Sequence, residues 1–265
     1  MAETDPVLCA VDGRGVATVT LNRPAVNNAY DGALIDGLIE TVMRLAAEPG
    51  LRCAVLRGAG RHFQAGADLS FLAQLRRGPA ERNQDFSRRT VAAIRGLQLA
   101  PFPTVALVHG GCFGGGVGIA AACDIAIATD DAVFALSEVR WGITPAPIVP
   151  LLADRLGPRV LGRLALTGER FDAREAQRIG LVHELCPADE LASAGAAVVD
   201  ALLRSGPQAV AVTKRLIAES AETAFTASFH DRIVDEAAAR RRSAEAEEGL
   251  ASFAEKRPPN WYRQE

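Results

Sequence analysis

The sequence predicts an α/β fold, and three observations carry the prediction. Short β-branched runs alternate with amphipathic segments in the first half of the 265 residues. Two glycine loops each follow such a run. The second half reads as helices punctuated by glycine and proline. Val16–Leu21 (VATVTL) alternates and is stopped by Asn22-Arg23-Pro24, which makes it a strand and a turn. Residues 33–47 carry apolar side chains at 34, 35, 38, 42 and 45, a helical stripe ending before Pro49-Gly50. Residues 53–56 (CAVL) form a second strand, followed by the loop RGAGRHFQAGADL. Residues 76–85 are polar and contain Gly78-Pro79, so a mobile surface segment is expected there, and 88–99 return to a helix. Thr104–Val108 is a buried strand, and HGGCFGGGVGIAAA runs from a glycine loop into a helix. Residues 124–128 and 133–136 are two further strands. After Pro145 the strand signal fades, and the charged segment 238–248 belongs on a surface or between subunits. Neither repeats nor a low-complexity linker interrupt the chain, which favours one domain with a helical extension.

Composition narrows the function. Twenty-nine Lys and Arg against 32 Asp and Glu give a net charge of −3, the wrong balance for coating nucleic acid. Only Lys214 and Lys256 are lysines, which marks both positions. The five cysteines (Cys9, Cys53, Cys112, Cys123, Cys186) have no CxxC spacing, so neither a zinc site nor a secreted disulfide framework is expected. The most apolar stretch, 117–128, is broken by Gly118 and Asp124 and is too short to span a bilayer. These features predict a soluble, cytoplasmic protein without metal.

The paired glycine loops are the most informative feature. QAGAD and FGGGVG let backbone approach a ligand closely, and a helix starting after Gly114-Gly115-Gly116 points free N–H groups the same way. Two such donors would make an oxyanion hole; alternatively the glycines serve only tight helix–sheet packing. GGGVG is neither GxGxxG nor a GK[ST] loop, which disfavours nucleotide phosphates. Glu138, in FALSEVRWGITPA, is a candidate acid/base if partly buried; the competing reading pairs it with Arg140. Asp68 reads first as a helix cap and Asp124 as a structural carboxylate needing hydrogen bonds. His62 and His109 flank the loops as possible ligand contacts, with a generic role preferred. Ser70 and Ser137 lack a GxSxG context.

Taken in order, LNRPAVNNAY, VLRGAGRHFQAGADL, HGGCFGGGVGIAAACDIAIAT, FALSEVRWGITPAP, TGERFDAREAQRIGLVHEL and FAEKRPPNW resemble the crotonase (enoyl-CoA hydratase/isomerase) superfamily across residues 7–261. The resemblance implies a ββα spiral core over 1–191, a helical trimerisation region over 192–265, and homotrimers or hexamers. It implies an acyl-CoA thioester as substrate, with no separate cofactor and no nucleic-acid or membrane partner. On matching positions, the N–H groups of Ala67 and Gly115 would hold the thioester oxygen and Glu138 would be the acid/base. Phe63, Ala65, Gly66, Asp68, Leu69 and Gly114 would border the substrate, and Arg23 and Lys256 would approach the CoA phosphates.

One departure stands out. Typical hydratases of the superfamily carry two glutamates, and the first position is here Gly118. The resemblance therefore leaves three readings: hydration of a 2-enoyl-CoA by Glu138 alone, Δ3-Δ2-enoyl-CoA isomerisation, or a non-catalytic acyl-CoA-binding or scaffold member. Hydration ranks first, because the segment around Glu138 is most similar to methylglutaconyl-CoA and isohexenylglutaconyl-CoA hydratases. Gly118 is expected to open space for a branched or carboxylated acyl chain, with Arg140 as a counter-ion. Tyr30, Trp141 and Phe225 are candidate linings of the acyl tunnel.

Overall fold

β1 (Val7–Val11) and β2 (Val16–Leu21) form an antiparallel hairpin whose turn is pinned by the Asp12 carboxylate, which accepts the N–H groups of Arg14 and Val16. From β2 onward the main sheet is parallel: β3 (Cys53–Gly58), β4 (Thr104–Val108), β6 (Ile125–Thr129) and β9 (Glu184–Cys186), in the order β1-β2-β3-β4-β6-β9. A second sheet joins β5 (Gly111–Phe113) in parallel to β7 (Val133–Ala135), with β8 (Arg170–Asp172) antiparallel at its edge. This is the architecture of a computed structural model that describes residues 5–222 and 226–263. Phe225 lies outside the described residues.

Period-two alternation sorts the strand side chains onto two faces. Ala17, Val19, Leu21, Ala54, Leu56, Ala106, Val108, Ala126 and Ala128 enter the larger core, against α1 (Gly32–Ala46), α3 (Ala80–Gln98) and α4 (Gly115–Ala122). Val16, Cys53, Val55, Val105, Leu107 and Ile127 face Val199 and Leu203 of α8 (Leu191–Arg204). Covering both faces is what buries every residue of 104–108 and makes 105–108 continuously apolar rather than alternating. α1 follows its predicted stripe, with Leu34, Ile35, Leu38 and Leu45 buried and Asp31 as its N-cap.

Two expectations are corrected. Residues 76–85 are not a mobile loop: α2 (Leu69–Arg77) and α3 account for all but Gly78-Pro79, and Leu75 and Phe86 are buried. Strands also persist beyond Pro145 as β8 and β9, each only three residues long, too short to show a period. α5 (Val149–Leu156) and α6 (Pro158–Thr167) precede β8, and α7 (Ala173–Arg178) lies between β8 and β9.

The C-terminal helices are tied to the sheet by half-buried cations. Arg52 donates to the carbonyls of Leu202, Leu203, Ser205 and Trp261, satisfying the C-terminal end of α8. On α9 (Pro207–Glu222), Lys214 donates to the Phe102 carbonyl (2.9 Å) and pairs with Asp124 (2.7 Å), which also accepts from Thr104. Asp124 thus has the structural role expected of it. After α10 (Ala227–Arg241), α11 (Ala244–Ala254) leaves Leu250 and Phe253 exposed. Among the described residues no helix is long and apolar enough to cross a membrane.

Candidate active site

The site is built where adjacent parallel strands end. β5 pairs with β7 so that Phe113 lies beside Ala135, and the next amide, Gly114 N–H, donates to the Ala135 carbonyl at 2.8 Å. Three residues beyond Ala135 the chain enters a 3-10 turn, Glu138–Trp141, whose first residue is the candidate acid. The register therefore sets Glu138 against Gly114: a β-carbon on that glycine would stand 2.7 Å from Glu138 Oε1. Gly114 also has φ 51°, the left-handed region that favours glycine.

The first loop is fixed as firmly. Tyr30 N–H donates to Gly66 O and Asp68 N–H donates to Tyr30 O, both at 2.9 Å, an isolated parallel bridge between Tyr30 and Ala67. In a parallel bridge the flanking groups make the bonds, so Ala67's own N–H is directed away from Tyr30. Gly115 N–H belongs to the first turn of α4 and has no intrahelical acceptor. Among the described residues neither amide has a hydrogen-bond acceptor. Both residues line one cleft of about 850 Å³, together with Ala65, Gly66, Leu69, Gly114 and Glu138.

Two buried amides that no sequence motif singles out, Asn28 and Gln64, hold these loops. Asn28 donates to the carbonyls of Ala59 and His62 while its Oδ1 accepts Arg23 N–H. Gln64 accepts Gly66 N–H (2.7 Å), returns a bond to Gly66 O (3.0 Å), and sits where a side chain on Gly116 would be. For Gln64 the available signal was an amide side chain directly before the small-residue run AGA, since a buried amide must find partners; Asn28, beside Asn27, carried no such mark.

Glu138 does not pair with Arg140. Its Oε2 is buried without a hydrogen-bond partner, and burial raises its pKa above the ordinary carboxylate value. Arg140 instead borders the cleft mouth, packed on Gly168 and within 3.4 Å of the Thr167 carbonyl. A base with a raised pKa moves the acid limb of a pH–rate profile upward. Turnover is expected to fall with decreasing pH at a midpoint above about 4.5, the ordinary Glu value, and kcat/KM between pH 4 and 9 checks it.

Other candidates fall elsewhere. Phe63 is fully buried in the core and does not line the cleft. Arg23 is spent on Asp31 (3.0 Å), Asp68 (3.2 Å) and the Ala29 carbonyl and does not line the cleft; Asp68 also caps α2. Lys256 is exposed in a left-handed turn after α11, outside the cleft lining. His62 Nδ1 accepts Gly111 N–H (2.7 Å), and His109 Nε2 contacts the Gly60 carbonyl, so both serve the backbone. Tyr30 and Trp141 line the cleft. Gly118 opens no space: Ile148, 2% exposed, occupies it so closely that a β-carbon there would meet Ile148 Cβ at 2.9 Å and Cγ2 closer still. Among the described residues no three His, Cys, Asp or Glu side chains cluster as a metal ion would require.

Amide donors and a half-buried carboxylate around one cleft, on this fold, define the class, an enzyme fold of the crotonase type. The chain belongs to the enoyl-CoA hydratase/isomerase family, whose model matches residues 12–264, and is an acyl-CoA enzyme of that family. The structure of Pseudomonas aeruginosa AtuE superposes with a TM-score of 0.93 at 38% identity, covering 97% of this chain and all of that one. Carnitinyl-CoA dehydratase of Proteus mirabilis is 34% identical over 93% of this chain and 94% of its own length. The mitochondrial Δ(3,5)-Δ(2,4)-dienoyl-CoA isomerase of Dictyostelium discoideum is 30% identical over 94% and 88%.

Proposed function

We propose that the protein hydrates a 2-enoyl-CoA with Glu138 as its single acid/base. The carrying observation is the buried, unpartnered Oε2 of the Glu138 carboxylate beside Gly114, next to the free amide of Gly115. The thioester oxygen accepts hydrogen bonds from Ala67 and Gly115 N–H, which polarise the conjugated double bond. Glu138 takes a proton from water as the water oxygen bonds to C3, and the π electrons move onto the thioester as an enolate. The protonated Glu138 returns that proton to C2 on the same face and the enolate collapses, so one water is added and the carboxylate regenerated.

A second reading has its own support. Ile148 replaces a second polar group with methyls, and a dry wall suits a carboxylate that moves a proton between C2 and C4 of a 3-enoyl-CoA. Product analysis separates the two. Crotonyl-CoA should yield 3-hydroxybutyryl-CoA; conversion of 3-hexenoyl-CoA to the 2-enoyl isomer with no hydrated product from either substrate would instead establish the isomerase. Exposed Leu250 and Phe253 on α11 support assembly of the chain into a homotrimer or a pair of trimers.

A further inference from the structure

The hydratase reading leaves the water held from one side only, because Ile148 fills the place beside Gly118. We propose that the Tyr30 hydroxyl is the second group that holds this water, opposite Glu138, and is therefore a catalytic residue; the assignment rests on the hydratase reading.

Three observations place Tyr30 there. Its ring lies where a side chain on Gly115 would be, with the phenol oxygen 3.0 Å from that β-carbon position, while Glu138 occupies the equivalent place at Gly114. The two polar groups thus bracket one dipeptide that carries a candidate donor amide. The phenol oxygen bonds to no other group among the described residues, and Tyr30 lines the cleft. The ring is held from behind by Phe86, stacked at 6.1 Å, which meets Phe71 edge-on at 5.0 Å, so the hydroxyl is presented with little rotamer freedom. Burial, with a smaller contribution from the charge of Glu138, raises the phenol's pKa, so it stays a donor throughout the working range. A phenol O–H donates to a water lone pair, leaving that water's protons for the Glu138 carboxylate and its second lone pair for C3.

Tyr30 also has a structural part, since its backbone fixes Gly66 and Asp68 and its ring abuts Gly115. Two reactions tell the parts apart. The full-length Tyr30→Phe protein keeps the ring and loses the hydroxyl. Its kcat for hydration of crotonyl-CoA should fall about tenfold or more with KM within about twofold, as loss of one hydrogen bond in the transition state implies. Exchange of the C2 proton of butyryl-CoA in D2O uses Glu138 and the amides but adds no water, so it should proceed at the wild-type rate. Equal loss of both reactions would make Tyr30 a positioning residue only. Unchanged hydration by Tyr30→Phe would also overturn the proposal. A wild-type protein that exchanges the C2 proton yet hydrates nothing would refute the hydratase reading, and the water-holding role with it.

Discussion

Glu138→Gln should lower kcat by about a thousandfold, within the range that a positioned general acid/base contributes, with KM for the enoyl-CoA little changed. Gln fills the same space beside Gly114 and leaves both amides in place, so binding survives while proton transfer is lost. The same variant should be more stable than the wild type at neutral pH. The wild-type carboxylate is desolvated and its Oε2 unpartnered, so its pKa in the folded state exceeds the unfolded value. A carboxyl with a raised pKa binds its proton more tightly in the folded state. Wild-type stability is therefore highest when Glu138 is protonated and falls as pH rises through the raised pKa. The gain from Gln should be nearly absent near pH 4 and full above the raised pKa, about 1 kcal/mol, or some 2–4 °C in Tm for a chain of this size. Steady-state kinetics and thermal melts at pH 4.5 and 8 measure both effects. A variant that hydrates at the wild-type rate would remove Glu138 from the mechanism.

How much of this was legible depends on the length of the signal. The strands at 16–21, 53–58 and 104–108 are long enough to show their composition, and α1 runs four turns with one apolar stripe, so each was readable. β8 and β9 have three residues each, and no period can be read from so few. The candidate site was readable as types: glycine loops after strands, and a carboxylate after an apolar run. Its assembly was not, because the β5–β7 register that brings Glu138 to Gly114 joins segments with no local pairing signal. The two lysines illustrate the same limit. Both stand out in an arginine-rich chain, yet only packing reveals that Lys214 ties α9 to Asp124 while Lys256 is exposed. Arg23, a candidate phosphate contact, proves to be neutralised by two carboxylates far apart in the sequence.

Gly118→Ala is expected to destabilise the protein by more than about 3 kcal/mol, an unusually large effect for adding one methyl group. In a helix interior Ala is intrinsically better than Gly by about 1 kcal/mol, so a loss must come from packing alone. The added carbon would overlap the Ile148 side chain, which is 2% exposed and packed into the main core at the cleft wall. Gly118→Glu should be worse, because it also forces a carboxylate against that wall. Restoring the superfamily's first glutamate by that change alone should give an unfolded or insoluble chain rather than a faster hydratase. Trimming the obstacle supplies the control: Ile148→Ala alone should cost about 2–5 kcal/mol through the cavity it leaves, whereas Gly118→Ala with Ile148→Ala should be more stable than the sum of the two single losses predicts. Denaturant melts of the four proteins give the coupling directly. Additive losses would mean that Ile148 and the position of the missing glutamate do not compete for space.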